Sequence, residues 1–278
     1  MKNIDRFYKP AMWSTTVLLA TILAACGGSS SGVAGVAPGG ASSGPVGSTC
    51  SGTSCVNLGK AANYVILAKT GVSTVPSSAV TGNVGLSPAA ESFLTGWALT
   101  NDATNTYATS AQVTGKLYAA DMVGGTTSVD LTTAVGDMQT AYTAAAGMPL
   151  AGGGLTTACP GTGAFGGLTV APGVYKCAVN VGIGSNLVLS GTATDVWVFE
   201  ITGTLTQAAA TQVQLIGGAL PQNVFWQVSS DVVMGTTAQM QGVILGKTLI
   251  NLQTGATENG RLLAQTAVTL SQNKVTQP

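Results

Sequence analysis

The sequence contains no histidine, and only 7% of its residues are charged and 5% aromatic. Without histidine it lacks the side chain most used for proton transfer near neutral pH, the usual base of serine and cysteine triads, and the commonest metal ligand. After Cys26 there are seven Lys/Arg against nine Asp/Glu, so no basic surface invites a nucleic acid. Four acids of the C-terminal half, Asp195, Glu200, Asp231 and Glu258, stand singly rather than in the clusters that lyase or glycosidase chemistry requires. They read as corner or surface residues. The chain is not expected to be an enzyme, and neither a cofactor nor a metal is expected.

What is present points to β-structure. Across 278 residues, 45% hydrophobic, there are 38 glycines and abundant threonine, while helix-favouring Glu and Lys are scarce. That composition can bury a full core.

The N-terminus reads as a targeting segment. Lys2, Arg6 and Lys9 precede an apolar run at 17–25, and LAAC at 23–26 closes it. LAAC followed by Gly-Gly-Ser-Ser resembles a bacterial lipobox, in which Cys26 is lipidated and becomes the first mature residue. Residues 1–26 are therefore expected to be a lipoprotein-type signal. Residues 27–55, rich in Gly, Ser, Ala and Pro, would be a flexible tether, and 56–278 the folded domain. On this reading the protein is exported, and the anchor makes a membrane one of its partners. Cys50, Cys55, Cys159 and Cys177 make an even count for an oxidising compartment. Nearness in sequence favours 50 with 55 and 159 with 177 among three possible pairings.

One helix is predicted, over about 129–146, where Leu131, Val135, Met138, Tyr142 and Ala145 recur on one helical face. Ser128 or Asp130 is positioned to cap its start, and Gly147 and Pro149 to end it. Such a stripe is core packing rather than a cofactor site.

Beyond Gly166 the chain repeats. MGTTAQMQGVILG (234–246) superposes on LQTGATENGRLLA (252–264) at an offset of 18, and QAAATQVQLIG (207–217) precedes the first of them at an offset of 27. An 18-residue period matches one coil of a β-solenoid, three short strands joined by three corners. DVWVFEI, NVFWQV, GVILG and RLLA are apolar at consecutive positions, which predicts strands buried on both sides with the helix as cover. GTLTQ, TQVQL, AQMQG and ATENG alternate with Thr, Gln and Asn, and predict two faces that meet solvent. Adjacent strands lie about 4.8 Å apart and same-face residues about 6.7 Å apart, a grid close to the repeats of water in ice. Threonine suits such a grid, because its stiff side chain sets a methyl beside a hydroxyl.

GGLTVAPGVYKC, TDVWVFEITGTLT, NVFWQVSS, GVILGKTLINLQTGATENGRLLAQTAVTL, and upstream VTGNVGLSP and TYATSAQVTGKLYAADM with the LTTAVGDMQTAYTAAAG helix, are similar to the microbial ice-binding protein family over roughly 57–276. The resemblance implies a mainly β fold, a discontinuous right-handed β-solenoid of triangular section with one long helix along a face. It also implies a monomer that adsorbs to the ice crystal surface through one flat, Thr-rich face, with thermal hysteresis or inhibition of ice recrystallisation as its activity. Thr204, Thr206, Thr236, Thr237, Thr254, Thr257 and Thr269 are the candidates for that face. Some strongly active members carry T-A/G-x-T/N repeats, which TGAT at 254–257 matches once; TTAQ at 236 and AATQ at 209 depart from them, and TAVT at 266–269 fits the string but is out of phase with the period. The alternative is a surface adhesin or structural domain. A glycan site would favour exposed aromatics, whereas Trp197 and Trp226 lie in the apolar runs and are expected to be buried.

Overall fold

Short apolar stretches separated by glycine and polar corners become strands, and the corners return the chain to the same three directions. The computed structural model describes residues 56–76, 78–149 and 158–278. The expected signal with Cys26, the tether, and Cys50 and Cys55 lie outside the described residues.

The first elements among the described residues are a 3-10 turn, Gly59–Asn63, then β1 (Tyr64–Ala68), β2 (Gly71–Val75) and β3 (Ala79–Thr81). Next come β4 (Asn83–Leu86), β5 (Leu94–Thr95), a hairpin of β6 (Thr100–Asn101) with β7 (Ala108–Ser110), and β8 (Val113–Ala119). The helix α1 (Thr127–Ala146) follows. Beyond it run β9 (Thr169–Val170), β10 (Gly173–Cys177), β11 (Val181–Ile183), β12 (Leu187–Ser190), β13 (Trp197–Ile201), β14 (Leu205–Gln207) and β15 (Val213–Ile216). The last are β16 (Val224–Val228), β17 (Val232–Met234), β18 (Gln239–Gly246), β19 (Ile250–Leu252), β20 (Thr257–Ala264), β21 (Ala267–Ser271) and β22 (Lys274–Thr276).

Parallel pairing sorts these strands onto three surfaces visited in turn. The first joins β10, β13, β16, the ends of β18 and β20, then β1, β4 and the end of β8. The second runs β11, β14, β17, β19, β21, β2, β5. The third holds β9, β12, β15, the starts of β18 and β20, β22, β3 and the start of β8. Because β20 and β8 each turn a corner, β1, β4, β8, β3, β22 and β20 close into a ring of pairings.

Register confirms the spacing read from the sequence. Gln239 pairs with Thr257, Gly242 with Gly260 and Leu245 with Leu263, each 18 residues on, while Leu205 pairs with Val232 at 27. The corner within β20 admits no side chain: a Cβ on Gly260 would lie 1.6 Å from the Gly242 carbonyl oxygen. The stacking does not follow chain order. β21, near the end of the chain, lies beside β2, from the first described strands, with Thr269 opposite Ser73.

On the first surface β1, β13, β16 and the ends of β18 and β20 are buried on both sides, as the unbroken apolar runs predicted. Its inner column descends Tyr175, Phe199, Trp226, Ile244, Leu262, Ile66, Val84 and Leu117. Phe199 stacks on Tyr175 at 5.4 Å and on Trp226 at 4.3 Å between ring centroids. Trp197 is fully buried too, so neither expected tryptophan is exposed. The outer side, with Val174, Val198, Phe225 and Val243 in one row and Leu245 and Leu263 in the next, packs under Leu131, Val135, Met138, Ala141 and Ala145 of α1.

The helix begins two residues before the expected start, and neither proposed cap serves. Its first position follows Thr126, no side chain caps it, and the Asp130 carboxylate is engaged instead by Lys60 Nζ and Thr126 Oγ1, both at 2.6 Å. The salt bridge to the 3-10 turn claims the acid that spacing assigned to the cap. Tyr142 is only half-buried and donates its hydroxyl to Ser229 Oγ at 3.0 Å. Tyr142→Phe should lower stability by about 0.5–1.5 kcal/mol in urea unfolding, the net value of one hydrogen bond. Of the two expected disulfides, Cys159–Cys177 is present, across 18 residues.

Two acids depart from their surface assignment. Glu200 sits on β13 on the outer side of the first surface and pairs at 3.2 Å with Lys176, its in-register neighbour. Glu258 is 1% exposed and points inward in the column Met240, Glu258, Val275, Val80. Asp195 and Asp231 do occupy corners, accepting from Thr192 and Thr248 respectively.

Candidate functional site

With the first surface covered by α1, the second and third remain to meet solvent. Both alternate as the sequence predicted: on the second, β14 and β19 bury their first and last residues and turn the middle one outward, and on the third, β3 buries its middle residue and turns the other two outward.

On the second surface the outward middle positions form one in-register row: Gly182, Thr206, Val233, Asn251, Thr269, Ser73, Thr95. Beneath it runs a wholly apolar column, Val181, Leu205, Val232, Ile250, Val268, Val72 and Leu94. The row is therefore held at a fixed height by a packed layer, and no pairing in the sheet carries a register shift. Every residue of the row is short, and four of the seven are β-branched and stiff at χ1. Thr269 Oγ1 donates to Asn251 Oδ1 at 2.9 Å across the strand pair.

The third surface differs in side-chain length. Its outward positions include Gln212, Gln214, Gln239, Gln241, Asn259 and Lys274, and Asn259 Nδ2 donates to Gln241 Oε1 at 2.9 Å. Immobilising a Gln or Lys side chain costs up to about 1.5–2 kcal/mol of rotamer entropy, whereas threonine on a strand is already restricted.

The seven expected threonines do not share one surface. Thr206 and Thr269 stand in the middle row of the second surface, and Thr204 immediately precedes β14 beside it. Thr236, Thr237 and Thr254 occupy the corners leading from the second surface to the third. Thr257 opens β20 on the third surface, opposite Gln239. The TGAT string thus wraps a corner, and Thr269 of the out-of-phase TAVT lies on a sheet.

Sequence reasoning missed Val233 and Asn251, although the period contains them: counting back from Thr269 by 18, by 18 again and then by 27 reaches Asn251, Val233 and Thr206. Ser73 and Thr95 carry no such signal, because their strands join the row from the other end of the chain.

The charges near this row are few and engaged elsewhere. Asp231 accepts from Thr248 Oγ1 at 2.6 Å at its corner. Asp102, outside the row in the hairpin, is held well below the usual carboxylate range, first by the Thr104 hydroxyl and then by backbone N–H groups.

Residues 66–276 match the family described as Ice-binding-like. The chain belongs to the Ice-binding-like family. Other Ice-binding-like relatives include an ice-binding protein of Flammulina populicola, 44% identical over 82% of this chain and 90% of its own length. An ice-binding protein of a Colwellia species is also 44% identical, over 82% of this chain and 86% of its own length. Among solved structures, an ice-binding protein from an Arctic yeast, studied for its antifreeze activity, aligns at a TM-score of 0.77 and 42% identity over 82% of this chain and 96% of that one. The Shewanella frigidimarina ice-binding protein domain aligns at 0.72 with 29% identity, over 79% of this chain and 96% of that one. The Ice-binding-like match thus spans nearly all the described residues.

Proposed function

We propose that this protein binds ice through the second surface, with the middle row from Thr206 to Thr95 as its centre. The observation that carries this reading is the in-register row of short side chains on an apolar layer. Family membership supplies the ligand class. Thr206 and Thr269 belong to the site, Thr204 borders it, and Thr236, Thr237 and Thr254 form its rim at the corner. Thr257 falls outside it.

The three surfaces are read as the faces of a right-handed β-solenoid of triangular section, with coils of 18 residues in the C-terminal part and α1 lying along the covered face. Such a body binds without turnover, cofactor or switch. Many weak contacts made together by a rigid surface hold the protein to the crystal, and its expected activity is thermal hysteresis or inhibition of ice recrystallisation. The lipobox-like LAAC and the Gly/Ser-rich stretch after it support export and attachment to a membrane, with the domain acting as a monomer.

Ice-affinity partitioning of the protein, followed by nanolitre osmometry on the fraction retained, tests the reading. Enrichment in ice with faceted crystals is expected. Exclusion of the folded protein from the ice would overturn it and shift attention to a glycan partner for the Gln/Asn-lined third surface.

A further inference from the structure

The middle row is not uniform. Gly182 and Val233 offer no hydrogen-bonding group, so Thr206 stands alone between them. The remaining four, Asn251, Thr269, Ser73 and Thr95, are contiguous, in register and all polar. Two come from the last coils of the chain and two from the first, so this run exists only where the two chain ends stack.

Within the run, a cross-strand hydrogen bond constrains one hydroxyl. Thr269 and Asn251 are in-register partners in the ladder between β19 and β21, both half-buried, and Thr269 Oγ1 lies 2.9 Å from Asn251 Oδ1. Asn251 has Val233 as its other neighbour, which cannot compete for the carboxamide. The bond commits the threonine proton to the protein, fixes χ1 and leaves the hydroxyl lone pairs as acceptors. The carboxamide, held by its oxygen, keeps its NH2 as donor. Neighbouring strands then present an acceptor and a donor at a spacing of about 4.8 Å.

We propose that Asn251 is a positioning residue of the ice surface: it orients the Thr269 hydroxyl, so that the polar run across the chain-end junction meets ice with a preset pattern of donors and acceptors. This rests on the assignment of ice binding to the second surface. A preset pattern matters because ordering a hydroxyl rotor at the crystal surface would otherwise be repeated at every contact.

Asn251→Ala, Thr269→Val and the double variant are compared by nanolitre osmometry, with thermal unfolding and the three-bond N–Cγ2 coupling of residue 269 as further readouts. Asn251→Ala should reduce hysteresis to less than about half while the domain stays folded, its unfolding temperature falling by no more than about 2–4 °C, in line with loss of one hydrogen bond, and the Thr269 coupling should move from a single-rotamer to an averaged value. Thr269→Val should give a similar loss, and the double variant no more than the larger single one. Multiplicative losses in the double variant, or full hysteresis with a still-ordered Thr269 after Asn251→Ala, would overturn the positioning role. Ser73→Tyr separates the two levels: if it leaves hysteresis intact, the surface assignment itself fails.

Discussion

Thr269→Tyr is expected to abolish ice shaping and hysteresis while leaving the fold intact. Thr269 lies inside the row, next to its central member Asn251 on one side and to Ser73 on the other. A phenol ring there rises above every neighbour, so the flanking short side chains can no longer reach the crystal together. Adsorption that depends on many simultaneous weak contacts is then lost at once rather than by one contact in seven. The substitution lies on an outward position above the packed column that contains Val268, so stability should fall by no more than about 1.5 kcal/mol, the worth of the hydrogen bond to Asn251. Hysteresis and urea unfolding measured on one preparation check both halves. Undiminished hysteresis would remove the second surface from consideration, and concomitant unfolding would show that the position is structural.

Glu258→Met is expected to stabilise the protein at neutral pH by about 1–3 kcal/mol, the cost of burying a polar group without a compensating hydrogen bond. Glu258 occupies an inward column between Met240 and Val275, and no protein group reaches either carboxyl oxygen. Burial pushes its carboxyl well above the ordinary value of 4.5, so the folded protein holds this proton where the unfolded chain releases it. Above the unfolded value the native state therefore binds more protons, and stability falls as pH rises. The contribution is fully present below about pH 4.5 and is lost progressively as pH climbs toward the folded value. Glu258→Met, or the milder Glu258→Gln, should remove this slope. Chemical denaturation between pH 4 and pH 8 measures it, and identical slopes in parent and variant would mean that Glu258 is ionised and compensated in the fold.

Much of the architecture was written in the local pattern. Unbroken apolar runs such as DVWVFEI predicted strands covered on both sides, because a strand buried on two faces has no place for a polar alternate. The period of 18 predicted the register of β18 on β20 residue for residue. Leu131, Met138 and Ala145, spaced as one helical face, predicted the covering helix and the side it turns inward. Membership in the Ice-binding-like family was equally legible, since its motifs run through most of the chain.

The surface that meets the ligand was not. Local alternation says that a threonine points outward, and Thr206 and Thr257 both do, yet on different surfaces. Which outward residues become neighbours depends on where each corner turns, a matter of backbone geometry at positions such as Gly260 rather than of side-chain pattern. Asp130 and Glu258 show the same limit. Spacing assigned the first to a helix cap and the second to the surface, but Lys60, 70 residues away in sequence, claims one, and paired strands enclose the other. What the sequence determined by itself was the unit: strand, corner, the 18-residue spacing and the helix that covers the strands, set by local pattern. Tertiary structure alone decided how the units pair, and with them the junction where Thr269 meets Ser73, because burial of the apolar columns brings together segments that no periodicity relates.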